Sequence, residues 1–431
     1  MRHPKYLSPQ LLSTSIPGLE LPVECWLDIL NWSIEPEKCG TITMEQRPRR
    51  AACLITPRTS HLQAEKRRRE LRLVCRSWKA EMDRLAGSWS VVTTTLANTG
   101  KLRMARFHQN QGWQGTEEKL LQTIMVITKT SMELAVLEVV LCPRLVAQLF
   151  EAVTSWGHGV CLQSLSLTIF DTGSQSLGPR NATHLRLLPT ISTTFPSLVE
   201  LVIKDEVPIY EDIMSLASFS KLKLPRLQGF ALHLPRMAIN WNQASWVLPS
   251  LLHLNLHIGC YVTPEVSFAS FAPRLLSLCL IRDYGEPIYL SRFFWETFRS
   301  LQQIEIGMPY VRGSMVYGVP SWHPVRTLVV CHRPWPVPSN RINSELAVDI
   351  FSNISLFVDR DSPIDTVICR IPETVLDGRE TARDYMRVLV KQIGWKASNR
   401  NFKRVLERIV DEEGVGFRRG GLWGLISACN Y

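Results

Sequence analysis

No stretch of the chain approaches the roughly 20 consecutive apolar residues that a membrane-spanning helix needs. No Cys-x-x-Cys pair occurs either. The 11 cysteines, an odd number, are scattered from Cys25 to Cys429, whereas a zinc module or a disulfide framework clusters them. Most lie in apolar stretches (Cys75, Cys161, Cys279, Cys369) and read as small buried thiols in a reducing compartment. Pro4, Pro9, Gln10 and Pro17 interrupt residues 1–18, a flexible N-terminus without the continuous apolar run of a secretory signal. The expectation is an intracellular protein, cytoplasmic or nuclear, with no membrane partner. The motifs G-x-x-x-x-G-K-[ST], H-E-x-x-H and G-x-S-x-G are all missing, which removes local support for phosphate binding, zinc proteolysis and serine hydrolysis. Gly414-Val415-Gly416 lacks a third glycine and a preceding strand, so it reads as tail rather than as a dinucleotide turn. Neither an enzyme nor a cofactor is expected.

Apolar residues make up 45% of the chain and charged residues 20%, the balance of a globular protein. The length of 431 residues holds two or three domains, or one small domain followed by a repeat array. Lysine and arginine number 49 against 39 aspartates and glutamates, a net charge of +10. That excess is scattered and shows no aromatic-basic interleaving, so nucleic acid ranks lowest among partners. Two basic runs, Arg47–Arg50 and Lys66–Arg69, lie in a stretch broken by Pro36, Gly40, Pro48 and Pro57. Such a stretch is a solvated loop, or a nuclear-import signal or acidic-partner contact.

Two short helices are expected on either side of this loop. In the first, Pro22 suits an opening turn, and Val23, Trp26, Leu27 and Leu30 fall at i, i+3, i+4 and i+7. In the second, Leu71, Val74, Cys75 and Trp78 repeat that spacing, continued by Met82, with Arg72, Arg76 and Lys79 on the polar face. Two such stripes are too few to form a core alone and must pack on something else.

From Leu134 a motif of the form L-x-x-L-x-L recurs. It occurs as Leu134/Leu137/Val139, Leu162/Leu165/Leu167, Leu198/Leu201/Ile203 and Leu227/Phe230/Leu232. It continues as Leu251/Leu254/Leu256, Leu275/Leu278/Leu280, Leu301/Ile304/Ile306 and Val325/Leu328/Val330, with a degenerate copy at Ile364/Val367/Cys369. The intervals between the first eight starting positions are 28, 36, 29, 24, 24, 26 and 24 residues. Leucine-rich repeats run at about 20–29 residues, and the long interval has room for an insertion at Asp171 to Ala182. Pro196, Pro225, Pro249 and Pro273 each stand two residues before a first leucine. Segments between copies carry helical faces: Leu145, Leu149, Val153 and Trp156 in one, and Leu290, Phe293, Phe294, Phe298 and Leu301 in another.

The expected architecture is α/β. A short N-terminal helical module is followed by an irregular leucine-rich-repeat solenoid, a parallel sheet with outer helices, and by a C-terminal helical cap. The divisions fall at 1–18, 19–90 with an inserted basic loop at 34–69, 91–375, and 376–431. In the cap, Asp377 and Glu380 have capping-box spacing. Two helices follow, one through Ala382, Tyr385, Met386, Leu389, Val390 and Ile393, the other through Phe402, Val405, Leu406, Ile409 and Val410.

With motif positions one, four and six facing the core, positions three, five and seven face the other side of the sheet. That puts Glu200, Lys204, His233, His253, Asn255, His257, Gln303 and Glu305 on one strip. Singly they read as solvated strand residues; together they are the default protein-binding face, with varied polar side chains on a rigid sheet. His253 and His257 share a face and supply half of a zinc site, but no third ligand stands nearby in sequence, so no metal is expected.

The segments Leu21-Pro22-Val23-Glu24 with Leu27 and Leu30, and Leu73-Val74-Cys75-Arg76-Ser77-Trp78, resemble the opening and close of an F-box. Followed by irregular leucine-rich repeats, they are similar to the F-box-like proteins of mushroom-forming fungi. The resemblance covers Leu21 to Met82 closely and the rest of the chain loosely. It implies a substrate receptor of a Skp–cullin–F-box ubiquitin ligase that binds a Skp-type adaptor, and through it the cullin complex, and also an unknown protein substrate. It assigns Leu21, Pro22, Leu27, Leu30, Val74 and Trp78 to the box core or adaptor contact. The alternative is a leucine-rich-repeat interaction scaffold with a non-functional F-box.

Overall fold

The computed structural model describes residues 40–41, 54–55, 66–67, 69–74, 76, 78–79, 89–91, 104–109, 116–130, 134–155, 162–170, 188–205, 221–239, 245–261, 272–282, 292–308, 319–332, 362–370 and 409–410. Among the described residues the fold is α/β, and its main sheet has 12 strands. In chain order these are β1 (Trp89–Val91), β2 (Met104–His108), β3 (Val136–Leu141), β4 (Ser164–Ile169), β5 (Glu200–Asp205) and β6 (Gly229–Ile239). They continue with β7 (His253–Tyr261), β8 (Ser277–Arg282), β9 (Gln303–Met308), β10 (Thr327–His332), β11 (Thr366–Arg370) and β12 (Ile409–Val410). Every neighbouring pair is parallel, and the order across the sheet is the order along the chain.

The register aligns the motif copies. Leu137, Leu165, Leu201, Phe230, Leu254, Leu278, Ile304, Leu328 and Val367 form one row at position four. Val139, Leu167, Ile203, Leu232, Leu256, Leu280, Ile306 and Val330 form the next at position six, and all these side chains are buried. The degenerate copy takes its expected place as β11.

A backbone device holds the units in this register. In eight successive units, from Ala135 to Arg326, the carbonyl at position two accepts two consecutive N–H groups of the next unit, at 2.8–3.3 Å. A second device sets the entry to each strand. The N–H of Leu198, Leu227, Leu251, Leu275 and Leu301 donates to the carbonyl three residues earlier, at 2.9–3.3 Å. In the first four of these turns a proline occupies the second position, whose φ its ring presets. The residues that open these turns (Phe195, Leu224, Leu248, Ala272, Phe298) are buried as well, so each turn delivers two apolar groups to the core.

An outer layer covers the leucine face. Helix α1 (Glu117–Thr130) opens on Thr116, whose Oγ1 accepts the Lys119 N–H at 3.3 Å, and buries Leu120, Ile124 and Ile127. Helix α2 (Pro143–Ser155) opens on a proline and buries Leu145, Val146, Leu149 and Phe150. Helix α3 (Leu188–Thr194) packs against α2 and against the short strand Lys221–Lys223. That strand pairs in parallel with Ser245–Val247, so strands replace helices in this part of the outer layer. Leu222 and Trp246 point inward, and Trp246 meets Phe230 edge-on at 5.4 Å.

Helix α4 (Arg292–Thr297) differs from its expected face: Phe293 is 70% exposed, and Trp295 is buried beside Phe294 and Phe298. In so short a helix the inward arc spans residues 294, 295 and 298, which rotates Phe293 to the outside. Ile409 and Val410, expected on a helix, instead form β12 against Val367 and Ile368. Two adjacent β-branched residues favour this pairing, which also extends the position-four row. The first expected helix, with Leu21, Pro22, Leu27 and Leu30, and the remainder of the expected C-terminal cap lie outside the described residues.

The register can be tested directly. Leu254→Asp places an unpaired charge among buried leucines and should lower stability by several kcal/mol, whereas Asn255→Asp, on an exposed position, should stay within about 0.5 kcal/mol. A thermal melt in which both behave alike would refute the register. A Cβ at Gly307 would lie 2.8 Å from Ile281 Cγ2 and 3.1 Å from its Cα. Gly307→Ala should therefore cost about 1–3 kcal/mol in chemical denaturation.

Candidate functional site

Alternation along the strands puts positions three, five and seven on the face opposite the leucines. The register turns those positions into three rows of side chains about 4.8 Å apart from strand to strand. At position three stand Ser164, Glu200, Gly229, His253, Ser277, Gln303 and Thr327. At position five, Arg106, Glu138, Asn255, Cys279 and Glu305 fall in one row. At position seven, Lys204, His233 and His257 occupy three successive strands. All eight strip residues expected from the motif therefore share this face.

Their exposure is uneven. Lys204 and Asn255 are exposed, and His233 and His253 are half-buried. Glu200, His257, Gln303 and Glu305 are buried, which differs from the solvated strand positions expected for single residues. Side chains packed at strand spacing shield one another, and sequence alternation carries no information about that lateral crowding.

Specific contacts organise the face. Ser164 Oγ donates to Glu200 Oε2 at 2.6 Å. Arg106 donates through Nε and Nη2 to Glu138 Oε2, at 3.0 and 2.9 Å. The rings of His233 and His257 stack with centroids 3.9 Å apart and an interplanar angle of 19°. Glu138 was legible as position five of the first motif copy. Arg106 was not, because β2 carries Ala105 and Phe107 where other copies carry leucines.

Among the described residues, two polar atoms at position three are buried without a hydrogen-bond partner, His253 Nε2 and Gln303 Oε1. Burial pushes the His253 imidazole down to about 4, so the ring is neutral at pH 7. His323, which no motif signalled, lies on the other side of the sheet. It is buried and clasped on both nitrogens. Nδ1 accepts the Val325 N–H at 3.2 Å, so the proton sits on Nε2, which donates to the Phe298 carbonyl at 3.1 Å. Burial lowers its pKa, the Arg326 charge acts in the same direction, and the Phe298 and Trp295 carbonyls oppose both.

Among the described residues, no three His, Cys, Asp or Glu side chains lie close enough to hold a metal ion. Val74 sits in a turn with Leu73, and the two are exposed at 60% and 87%. Trp78 is helical and half-buried.

Acid should destabilise the fold through its two lowered histidines. Below about pH 6.5 the unfolded chain binds protons that the folded chain refuses, so stability is complete above that value. It falls as the pH drops toward 4, the folded-state value of His253. The loss from His253 is on the order of 3 kcal/mol. Urea denaturation at pH 7, 5.5 and 4.5 should show this slope, and His253→Asn should flatten it. An unchanged slope in His253→Asn would refute the assignment.

Comparison with known proteins finds no family model that matches the chain and no curated protein that matches it.

Proposed function

We propose that the chain is the substrate-recognition subunit of a Skp–cullin–F-box ubiquitin ligase. An F-box-like module docks the Skp-type adaptor, and the polar face of an irregular leucine-rich-repeat solenoid holds a protein substrate. The observation that carries this reading is the row structure: parallel strands laid down in chain order, leucine rows buried on one side, varied polar rows on the other. Such a face suits recognition of a large partner, because its side chains are positioned by a hydrogen-bonded sheet rather than by loops.

The adaptor half is supported by Leu73 and Val74, which fall within the part of the chain that resembles an F-box and are exposed apolar side chains. In this reading the adaptor covers Val74. The scaffold alternative is favoured by a different observation: the turn at Leu73 and Val74 interrupts the helical stripe of Leu71, Val74 and Trp78.

Co-purification of a Skp-type adaptor with the full chain separates the two. A micromolar complex is worth about 8 kcal/mol, and truncating buried leucine or tryptophan costs about 2–5 kcal/mol each. The Leu27→Ala, Trp78→Ala double variant should therefore lose the adaptor that the wild type retains, as should Val74→Asp. A wild-type chain that retains no adaptor supports the scaffold reading. Variants that fold and bind like wild type refute the box assignment.

A further inference from the structure

A polar chain joins the strand entries of three successive units. It begins at the Phe298 carbonyl ahead of β9, which accepts the Leu301 N–H at 2.9 Å and the His323 Nε2–H at 3.1 Å. It passes through the imidazole to the Val325 N–H ahead of β10, which His323 Nδ1 accepts at 3.2 Å. Arg326 carries it onward. Its Nη1 donates to the carbonyls of His323, Val325 and Pro363 at 3.2, 3.3 and 3.3 Å, and Pro363 stands ahead of β11. The Arg326 carbonyl accepts the Asp365 and Thr366 N–H groups at 3.0 and 3.2 Å, so the entry to β11 follows residue 326. His323 is fully buried, with the Trp295 and Trp322 rings centred 5.0 and 5.4 Å from its own.

We infer that His323 is an acid-sensitive latch, whose protonation releases the entries of β10 and β11 while the first strands of the array stay paired. A second proton on this ring can sit only on Nδ1. Nδ1 then turns from acceptor to donor and faces the Val325 N–H, donor against donor. Val325 loses its partner, and a buried cation arises beside the Arg326 guanidinium. The charged ring is relieved by leaving its site, which undoes the turn from Pro320 to Val325 and loosens residue 326 with it. In five other units the N–H at position one bonds to a main-chain carbonyl, which does not titrate, so the response is confined to this end of the sheet.

Among the described side chains, the charged groups on the segments packed around the ring are Glu296 and Arg299 at α4, Arg326 ahead of β10 and Asp365 ahead of β11. Arg299 turns back to the Glu296 carbonyl at 3.2 Å, and Asp365 accepts the Thr366 hydroxyl at 2.9 Å. Arg326 is the one whose charge acts on the ring. Burial lowers the His323 pKa below its ordinary 6.5, and the Arg326 charge reinforces this against the Phe298 and Trp295 carbonyls. The open form therefore takes up a proton that the closed form refuses. The latch is fully closed above about pH 6.5 and weakens as the pH falls.

The test is amide hydrogen exchange of the full chain at pH 7 and pH 5, read by mass spectrometry and corrected for the pH dependence of the chemical step. Protection in peptides covering 319–332 and 362–370 should fall about tenfold between the two, because the opened ring protonates over that range. Strands β3 to β5, which contain no histidine, should keep theirs. His323→Asn supplies an amide oxygen that accepts the N–H two residues on in the same kind of turn, and it does not titrate. Whatever its absolute level, protection around β10 in His323→Asn should be equal at the two pH values. His253→Asn removes the other lowered histidine and should leave the response at β10 intact. The wild-type comparison decides even where His323→Asn fails to fold. Equal loss of protection at β3 to β5 and at β10, or no loss at β10, overturns the inference. So does a loss at β10 that persists in His323→Asn or disappears in His253→Asn.

Discussion

Everything in this structure hangs on the carbonyl at position two of each unit. It accepts two consecutive N–H groups of the next unit, and it does so without interruption from Ala135 to Arg326. A unit of one strand and one outer segment cannot bury its leucines alone; it buries them against its neighbours. The ladder holds those neighbours at a fixed offset, and the offset decides which side chains become neighbours in a row. A slip of one residue would exchange the leucine face for the polar face. Because the ladder is made of backbone, the side chains at position two are free to differ, as Ala135, Gln163, Leu252 and Arg326 do.

The outer layer is looser because the ladder does not govern it. Helices α1, α2 and α3 give way to the paired strands Lys221–Lys223 and Ser245–Val247, and α4 then restores a helix. What these segments share is the duty to bring an apolar group to the strand entry. His323 shows how far the chemistry of that entry bends. In five of the other units the N–H at position one bonds to the carbonyl that opens the turn. At Val325 it bonds to His323 Nδ1 instead. The imidazole takes the place of a carbonyl, and its other nitrogen returns to the Phe298 carbonyl of the preceding unit. A ring used this way must stay neutral, since a second proton would displace the Val325 N–H.

On the polar face the same register brings unlike groups together. Glu200 meets Ser164, Arg106 meets Glu138, and His233 stacks on His257, each pair drawn from units about 30 residues apart in the chain. Strand spacing leaves little room for water between adjacent side chains, so several of these groups are buried although they face away from the leucine core. On such a face each side chain is hemmed in by its neighbours on the adjoining strands.

Sequence alone determined the parallel array and its facing. Periodic leucines at near-constant intervals identified the strands from β3 to β11 and the side on which each residue lies, because alternation in a strand and the burial of leucine are local rules. It missed β2, whose core positions are Ala105 and Phe107, and it read Ile409 and Val410 as helix, since a pair of β-branched residues satisfies either period over so short a stretch. Only the tertiary structure decided which polar residues are buried, that His323 replaces a turn carbonyl, that Trp295 rather than Phe293 enters the core, and that Gln303 Oε1 is buried without a donor. Those outcomes depend on lateral neighbours contributed by other units, and a pattern read along one strand contains no term for them.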